Sequence, residues 1–212
     1  MAESIEQLRN IEQGKEIYVV GSGKSIDFIP NEFWEGKTVI GVNFVPLRVP
    51  SKYLITHHYF VLKSFKNTNL TIVTSQREMG ISAKSLHNEV LSGDYFVYKH
   101  LEQRFTKIDL SVFDTPEYLI TGGTIITSAL HFAYLLGASS IVLAGVDGGM
   151  INGEINYIGY PTQTPFTHCK AVNNQLEIMI KEIRKHIPVV SLNPFINFNL
   201  EGRRFENCLL DS

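Results

Sequence analysis

Five short apolar segments, each ended by a glycine-containing or polar loop, constrain the fold of this chain more than any other feature. In chain order they are EIYVV, KTVIGVNF, KYLITHH, LTIVTS and SSIVLAGVD. Their length and composition predict strands, and the last is apolar throughout, as in a parallel strand covered on both faces. Helical spacing of apolar residues predicts helices over residues 2–13, 124–136 and 168–186, and PVVSLNP predicts a final strand.

Strands that alternate with helices predict right-handed crossovers and a mostly parallel α/β sheet with helices on both faces. Residues 76–118 fit this pattern less well. DYFVYK predicts a strand there, but the rest has mixed periodicity and is interpreted as an insertion or a lid. Because 212 residues suit one domain and no repeat or linker interrupts them, we expect a single domain over residues 1–212.

Composition excludes two classes of protein. A formal charge of −2 provides no basic surplus for binding nucleic acid, and no apolar run approaches the roughly 20 residues of a membrane span. The N-terminal segment lacks the basic start of a signal peptide, and Cys169 and Cys208 follow no metal or disulfide pattern. We therefore expect a cytoplasmic protein, with attachment to the inner face of a membrane left open.

The first loop after a predicted strand is GSGKS, at residues 21–25. In doubly wound sheets, ligands bind beyond the carboxyl ends of the strands, where the strand order reverses. An ATP-binding phosphate loop would need glycine in place of Tyr18, and a dinucleotide fingerprint would need a small residue in place of Ile26. The loop is therefore neither an ATPase loop nor an NAD fingerprint, which disfavours NAD binding.

Two interpretations of this loop remain. In the first, its backbone N–H groups, the hydroxyls of Ser22 and Ser25 and the ammonium of Lys24 bind an anion. In the second, Gly21 and Gly23 only permit a tight turn. The sequence leaves both open.

Other strand ends also carry polar groups. Asn43 could bind a base edge, a ribose hydroxyl or a neighbouring backbone. In THHY, residues 56–59, adjacent histidines on a strand point to opposite faces, so one is expected near the ligand, and a shared metal is disfavoured. Asp147 could bind a divalent metal, a sugar hydroxyl or a turn amide.

A second glycine loop precedes the predicted helix over residues 124–136. Its residues, Thr121-Gly122-Gly123-Thr124, would place hydroxyls and amides at the positive end of the helix dipole, where anions bind. The alternative is N-capping by one of the threonines. Further along, Tyr157 and Tyr160 could donate to a leaving phosphate, and His168, at a helix start, is a candidate general base or a structural cap.

These segments, in this order, resemble a bacterial enzyme family. VVGSGKS, VIGVNF, ITGGTIITSALHFAYLLGASSIVLAGVD and HCKAVNNQLEIMIKEIRKHIPVVSLNP are similar to segments of the α-2,3/2,8-sialyltransferases. They also resemble the related motility-associated factors and the 6-hydroxymethylpterin pyrophosphokinase-like (MptE-like) proteins. The resemblance covers most of the chain outside residues 76–118 and implies a Rossmann-like, GT-A-type nucleotide-binding fold.

The sialyltransferase resemblance implies a CMP-sialic acid donor, a glycan acceptor, inverting transfer for surface glycan synthesis and no required cofactor. It implies that Tyr157 stabilises the leaving phosphate and that His168, placed by position just before the penultimate helix, is the base. It also places donor-binding residues against the nucleotide: Gly21, Ser22, Gly23, Asn43, Thr121, Gly122, Gly123 and Thr124.

Two alternatives remain. The pyrophosphokinase-like branch transfers pyrophosphate from ATP, for which Asp147 and Mg²⁺ would be expected. The third hypothesis is a non-catalytic nucleotide-binding or phosphosugar-binding module, which the short segment between Tyr157 and Cys169 keeps open. A homo-oligomer is left open as well.

Overall fold

The computed structural model describes residues 3–65, 68–75, 77–78, 81–82, 95–102, 115, 117–162 and 166–192, with backbone alone at 59, 77–78, 81–82, 102 and 166–174. The strands are β1 (Glu3–Ser4), β2 (Glu16–Val20), β3 (Thr38–Val42), β4 (Tyr53–Thr56), β5 (Thr71–Ser75), β6 (Arg77–Glu78), β7 (Ile81–Ser82), β8 (Tyr95–Glu102), β9 (Tyr118–Thr121), β10 (Ser140–Ala144) and β11 (Val189–Ser191). The helices are α1 (Tyr59–Leu62), α2 (Ile125–Leu135) and α3 (Phe166–Ile183), and short 3-10 segments join several strands.

Nine of these strands form one sheet in which every pair of neighbouring strands is parallel. The order is β1-β8-β5-β4-β3-β2-β10-β11, and β9 pairs with the far half of β8. From β2, the chain builds outwards through β3, β4 and β5 on one side, and β10 and β11 lie on the other. The strand order therefore reverses between β2 and β10, which defines a switch point.

Both faces of the sheet are covered, by different kinds of segment. The strand register places Tyr18 and Tyr53 on opposite faces. The Tyr53 ring packs edge-on against Phe132 of α2, with centroids 5.5 Å apart, and α3 packs on α2. On the other face, Tyr18 packs against Phe33 and Trp34 of a 3-10 segment, at 5.8 and 6.0 Å. The α/β fold with a mostly parallel sheet, expected from the sequence, is confirmed.

Helix α2 is buried almost all round, because it lies between the sheet and α3. Thr124 caps its start by accepting a hydrogen bond from the Ile126 amide at 3.4 Å. Gly137, with φ of +87°, turns the chain away at its end. The helix runs close to the limits that sequence periodicity predicts. Among the helices that the structure describes, none is long and apolar enough to cross a membrane.

The predicted N-terminal helix over residues 2–13 is wrong. The chain there forms β1, a 3-10 turn over Ile5–Leu8 and then irregular turns. Ile5 and Leu8 are buried as the helical spacing requires, but Ile11 is 49% exposed. Asn10 adopts φ of +61°, which ends any helix before Ile11 could join the buried face.

Part of the segment 76–118 belongs to the main sheet. β8 contains YFVYK, nearly all of the predicted strand DYFVYK, and lies inside the sheet between β5 and β1, so this strand prediction is confirmed. β9 begins at Tyr118 and was not predicted, because its four residues, YLIT, merge with the glycine loop that follows. β6 and β7 form a separate antiparallel pair. The rest of the predicted lid falls outside the described residues.

Candidate functional site

A cavity of about 380 Å³ lies at the carboxyl ends of β2 and β10 and extends along the ends of β3, β4 and β9. We call it the switch-point cavity. Ser22 and Thr124, which are distant in the chain, both line it. Eight of the predicted donor-binding residues are among the lining residues: Gly21, Ser22, Gly23, Asn43, Thr121, Gly123, Thr124 and Asp147. Ser25 and Gly122 are not.

The glycines of the first loop are required by close packing against the loop after β10. A Cβ on Gly21 would lie 2.5 Å from the carbonyl oxygen of Gly145, and a Cβ on Gly23 would lie 2.5 Å from Cγ of Asp147. Gly145 in turn has φ of +61° and faces Gly21. The two loops thus interlock at the switch point, and only glycine permits this approach.

This interlocking uses most of the donors that the first loop was expected to offer to an anion. The amides of Gly21, Gly23 and Lys24 donate to backbone carbonyls at 2.7–3.0 Å, and the Ser25 amide donates to the Asp147 carboxylate at 2.8 Å. In the described part of the chain, only the Ser22 amide of this loop has no hydrogen-bond partner. These bonds favour the second of the two interpretations left open by the sequence, in which the glycines permit a tight turn.

The polar side chains of the first loop are also engaged. The Ser25 hydroxyl is buried and donates to Oδ1 of Asp147 at 2.5 Å, and Ser25 does not line the cavity. Lys24 forms ion pairs with Asp27 and Glu154. Its ammonium therefore does not serve a ligand as expected. Ser22 remains at the cavity, where its hydroxyl accepts a hydrogen bond from Asn156 at 2.8 Å.

Asp147 is a buried anchor between two loops. Its side chain is 2% exposed, and both carboxylate oxygens accept hydrogen bonds from Ser25. Burial raises the pKa of Asp147 above its ordinary value, and the hydrogen bonds from Ser25 oppose that rise. In the described part of the chain, no three His, Cys, Asp or Glu side chains converge to hold a metal ion.

The second glycine loop has backbone amides that are not used in hydrogen bonds to the rest of the described chain. Gly123 adopts φ of +77°, and the amides of Gly123, Thr124 and Ile125 contact no acceptor among the described residues. All three residues line the switch-point cavity at the positive end of α2. Gly122 differs, because its amide donates to the Thr127 hydroxyl at 2.9 Å and it does not line the cavity. Of the two glycine loops, the second is the better anion site.

Asn43 is held in a strained conformation at the end of β3. Its φ of +51° is uncommon for a residue other than glycine. Its side-chain oxygen accepts a hydrogen bond from the Thr56 hydroxyl at 2.8 Å, and its backbone N–H donates to the carbonyl of Ile55. These bonds to β4 fix the orientation of the Asn43 amide at the cavity wall.

Of the two tyrosines that could donate to a leaving phosphate, only Tyr160 lines the cavity. Tyr157 is buried and its hydroxyl donates to the carbonyl of Phe44 at 3.1 Å, so it does not reach the switch-point cavity. Tyr160 lines the cavity instead, within hydrogen-bonding reach of Ser22 and Asn43. Burial raises the pKa of Tyr160, and these neighbours oppose that rise. At neutral pH, Tyr160 is a neutral phenol that can donate to a ligand.

Both histidines of THHY line the cavity, although only one was expected near the ligand. They follow the last residue of β4 and are therefore free of the alternation that holds within a strand. Burial, together with the neighbouring His100 and His58, lowers the pKa of His57 to about 3. Burial also lowers the pKa of His58. Both rings are neutral at pH 7, and Nε2 of His57 lies 3.4 Å from the Ser128 hydroxyl.

His168 lies in the first turn of α3, at the helix start expected from the sequence. Its side chain falls outside the described residues, so its catalytic role stays a prediction. Asn156 is a polar cavity residue that sequence reasoning did not single out. It lies 134 positions from Ser22, with which it forms a hydrogen bond, and no local pattern identifies such a partner.

The fold and the site together define a Rossmann-like α/β protein with a cavity at the switch point, lined by both polar and apolar residues. No protein-family description and no curated protein sequence matches the chain. Among solved structures, the chain is similar to the MAf glycosyltransferase from Magnetospirillum magneticum AMB-1, with a TM-score of 0.58 and 16% sequence identity. The match covers 90% of this chain and 33% of that one, so the chain spans about a third of the length of its structural neighbour. At this identity, the similarity establishes a common fold.

Proposed function

We propose that the switch-point cavity binds a nucleotide-activated sugar and that the protein is a glycosyltransferase. The observation that carries this proposal is the convergence of loops from five strands, β2, β3, β4, β9 and β10, on one cavity. Its volume of about 380 Å³ lies in the range of small-molecule sites, roughly 300–1,000 Å³. The fold shared with a structure described as a glycosyltransferase supports the same class of reaction.

In this proposal, the donor phosphate lies at the N-terminus of α2. The amides of Gly123, Thr124 and Ile125 supply hydrogen-bond donors there, and the helix dipole favours a negative charge. The hydroxyls of Ser22 and Thr121 lie on the same cavity and could bind phosphate or sugar oxygens. The strained Asn43 presents its amide to the nucleoside.

The transfer step needs a proton donor for the departing phosphate and a base for the acceptor hydroxyl. Tyr160 is placed to stabilise the departing phosphate, since its phenol is neutral and lines the cavity. His168 remains our proposed base, at the start of α3. His57 and His58 are alternatives within the cavity, because each is neutral and can accept a proton, although its lowered pKa makes it a weak base.

We propose a CMP-linked sugar as the donor, on the resemblance to sialyltransferases, and a reaction that needs no metal. The engagement of Asp147 by Ser25 favours this over the ATP-dependent pyrophosphokinase hypothesis, which would use Asp147 to bind Mg²⁺. A requirement for Mg²⁺ in nucleotide binding would reverse that preference.

The proposal is tested by thermal-shift measurements with CMP, CDP, UDP, GDP and ATP, each with Mg²⁺ and with EDTA. A ligand at a hundredfold excess over Kd stabilises the folded state by about 2.7 kcal/mol, which raises Tm by roughly 5–10 °C for a chain of this size. We expect this shift with CMP in EDTA. No shift with any nucleotide would overturn the proposal.

Slow hydrolysis of CMP-N-acetylneuraminic acid would support an enzyme, whereas binding without hydrolysis would support the binding module.

A further inference from the structure

A half-exposed aromatic ring stands at the edge of the switch-point cavity. Phe60, in α1, is 51% exposed, although a phenylalanine ring is among the groups that folding most favours burying. The ring of His58 stacks on it, with centroids 5.1 Å apart and planes inclined by 27°. His58 itself lines the cavity. The stacked pair therefore continues the cavity wall outwards to the protein surface.

Phe44 packs between this aromatic pair and Tyr160, another residue of the cavity wall. Phe44 is buried, and its ring centroid lies 5.9 Å from that of Phe60 and 6.0 Å from that of Tyr160. Tyr160 lines the cavity on the side of the first glycine loop. Three packed rings and His58 thus form one continuous aromatic border.

A planar aromatic ligand group is the chemistry that fits such a border. Nucleobases bind to protein aromatic side chains by stacking, and every base has a suitable face. Resting on the proposed function, that the cavity holds a nucleotide, we propose that His58 and Phe60 form the stacking platform for the nucleobase of the donor. The phosphate end then points inwards to α2, and the base lies at the cavity mouth.

The experiment measures Kd by isothermal titration calorimetry for CMP, UMP, AMP, GMP and ribose 5-phosphate, the last of which lacks a base. The proteins are the full chain and its Phe60→Ala, Phe60→Tyr and His58→Ala variants. Loss of stacking on one aromatic side chain weakens nucleotide binding about 5-fold to 150-fold. We expect that loss for Phe60→Ala and His58→Ala with nucleotides but not with ribose 5-phosphate, and near-normal binding for Phe60→Tyr.

A matched control is Ile11→Ala. Ile11 is 49% exposed, close to the exposure of Phe60, and lies near the C-terminal end of α2, away from the cavity. This variant should bind every probe normally, and melting curves of all variants report whether each one folds. Unchanged nucleotide binding in folded Phe60→Ala, or equal weakening for nucleotides and ribose 5-phosphate, would overturn the platform while leaving the nucleotide site intact. Absence of binding by all five probes would overturn both proposals.

Discussion

The absence of a side chain at Gly23 allows the first glycine loop to pack against the loop after β10. A Cβ at this position would lie 2.5 Å from Cγ of Asp147 and 2.6 Å from the carbonyl oxygen of Gly145, so a Gly23→Ala variant must separate the two interlocked loops. We expect a loss of about 1–3 kcal/mol in the free energy of unfolding and weaker nucleotide binding. Urea denaturation and calorimetry measure the two effects.

The control for this variant is Gly36→Ala. Gly36 has φ of +70°, but nothing lies within 4 Å of an added Cβ. Its substitution therefore costs backbone strain, about 1–2 kcal/mol, without disturbing the cavity. Equal losses of nucleotide affinity in the two variants would contradict the role that we give to Gly23.

Tyr160 and Tyr157 give a second test at the scale of single residues. If the Tyr160 phenol stabilises the departing phosphate, Tyr160→Phe should lower kcat by about 10²- to 10³-fold. Tyr157→Phe removes only the buried hydrogen bond to Phe44, so we expect it to lower stability by about 1 kcal/mol and leave kcat unchanged. Steady-state assays of donor hydrolysis distinguish the two variants, and the reverse ranking would restore Tyr157 as the phosphate donor.

The sequence predicted which loops meet at the site better than it predicted what each side chain does there. Ser22, Asn43 and Thr124 could be placed at one sheet edge because parallel strands share their carboxyl ends. The contacts of Ser25 and Tyr157 could not, because their partners, Asp147 and Phe44, lie more than a hundred positions away in the chain.

At the scale of elements, the segment 151–160 is held against the first glycine loop. Gly23 and Asn156 form a β-bridge, and the Tyr157 amide donates to the Ser22 carbonyl at 3.0 Å. Lys24 adds ion pairs to Asp27 and Glu154, which raise its pKa above the ordinary value. This segment supplies Asn156 and Tyr160 to the cavity wall.

Removal of the Lys24 charge should loosen this attachment. We expect the amides of residues 155–158 to exchange hydrogen faster in Lys24→Met than in the unmodified protein, because local opening no longer has to separate the ion pairs. Lys185→Met, which removes an ion pair to Glu182 on α3, is the control and should leave these amides unchanged. Hydrogen exchange followed by mass spectrometry gives the answer, and equal exchange in both variants would contradict the prediction.

Element prediction succeeded where length and local pattern agreed. β2 and β10 are apolar runs of strand length, and α2 combines a capping threonine with a glycine stop. The N-terminal segment failed, because Ile5 and Leu8 match a helical face while Asn10 turns the chain so that Glu12 meets Lys52 and Tyr53. That contact spans some 40 positions, and periodicity carries no information about it.

At the scale of the whole molecule, the buried residue His131 should contribute to the loss of stability in acid. His131 is fully buried in α2, its Nδ1 accepts a hydrogen bond from the Ile120 amide at 3.1 Å, and burial, with a smaller effect of Arg9, lowers its pKa from 6.5 to about 3. The unfolded chain therefore binds a proton at this residue between those pH values, and the folded chain does not.

Stability should consequently fall as the pH drops below about 6.5, by about 1.4 kcal/mol per pH unit for this one histidine. In His131→Asn, which keeps an acceptor for the Ile120 amide, that part of the slope should disappear. Urea-unfolding free energies at pH 7, 6, 5 and 4 measure both slopes. Parallel curves for the two proteins would show that His131 is not the group responsible.

The bond between Ser25 and Asp147 joins positions 122 residues apart and connects two of the loops that line the switch-point cavity. The loops after β2 and β10 can interlock only once these two strands have paired, and β10 follows β2 by more than a hundred residues. Contacts of such long range form slowly, because the intervening chain must first be brought together. If the cavity binds a nucleotide as proposed, that capacity should therefore emerge during refolding with the slowest kinetic phase rather than with early collapse.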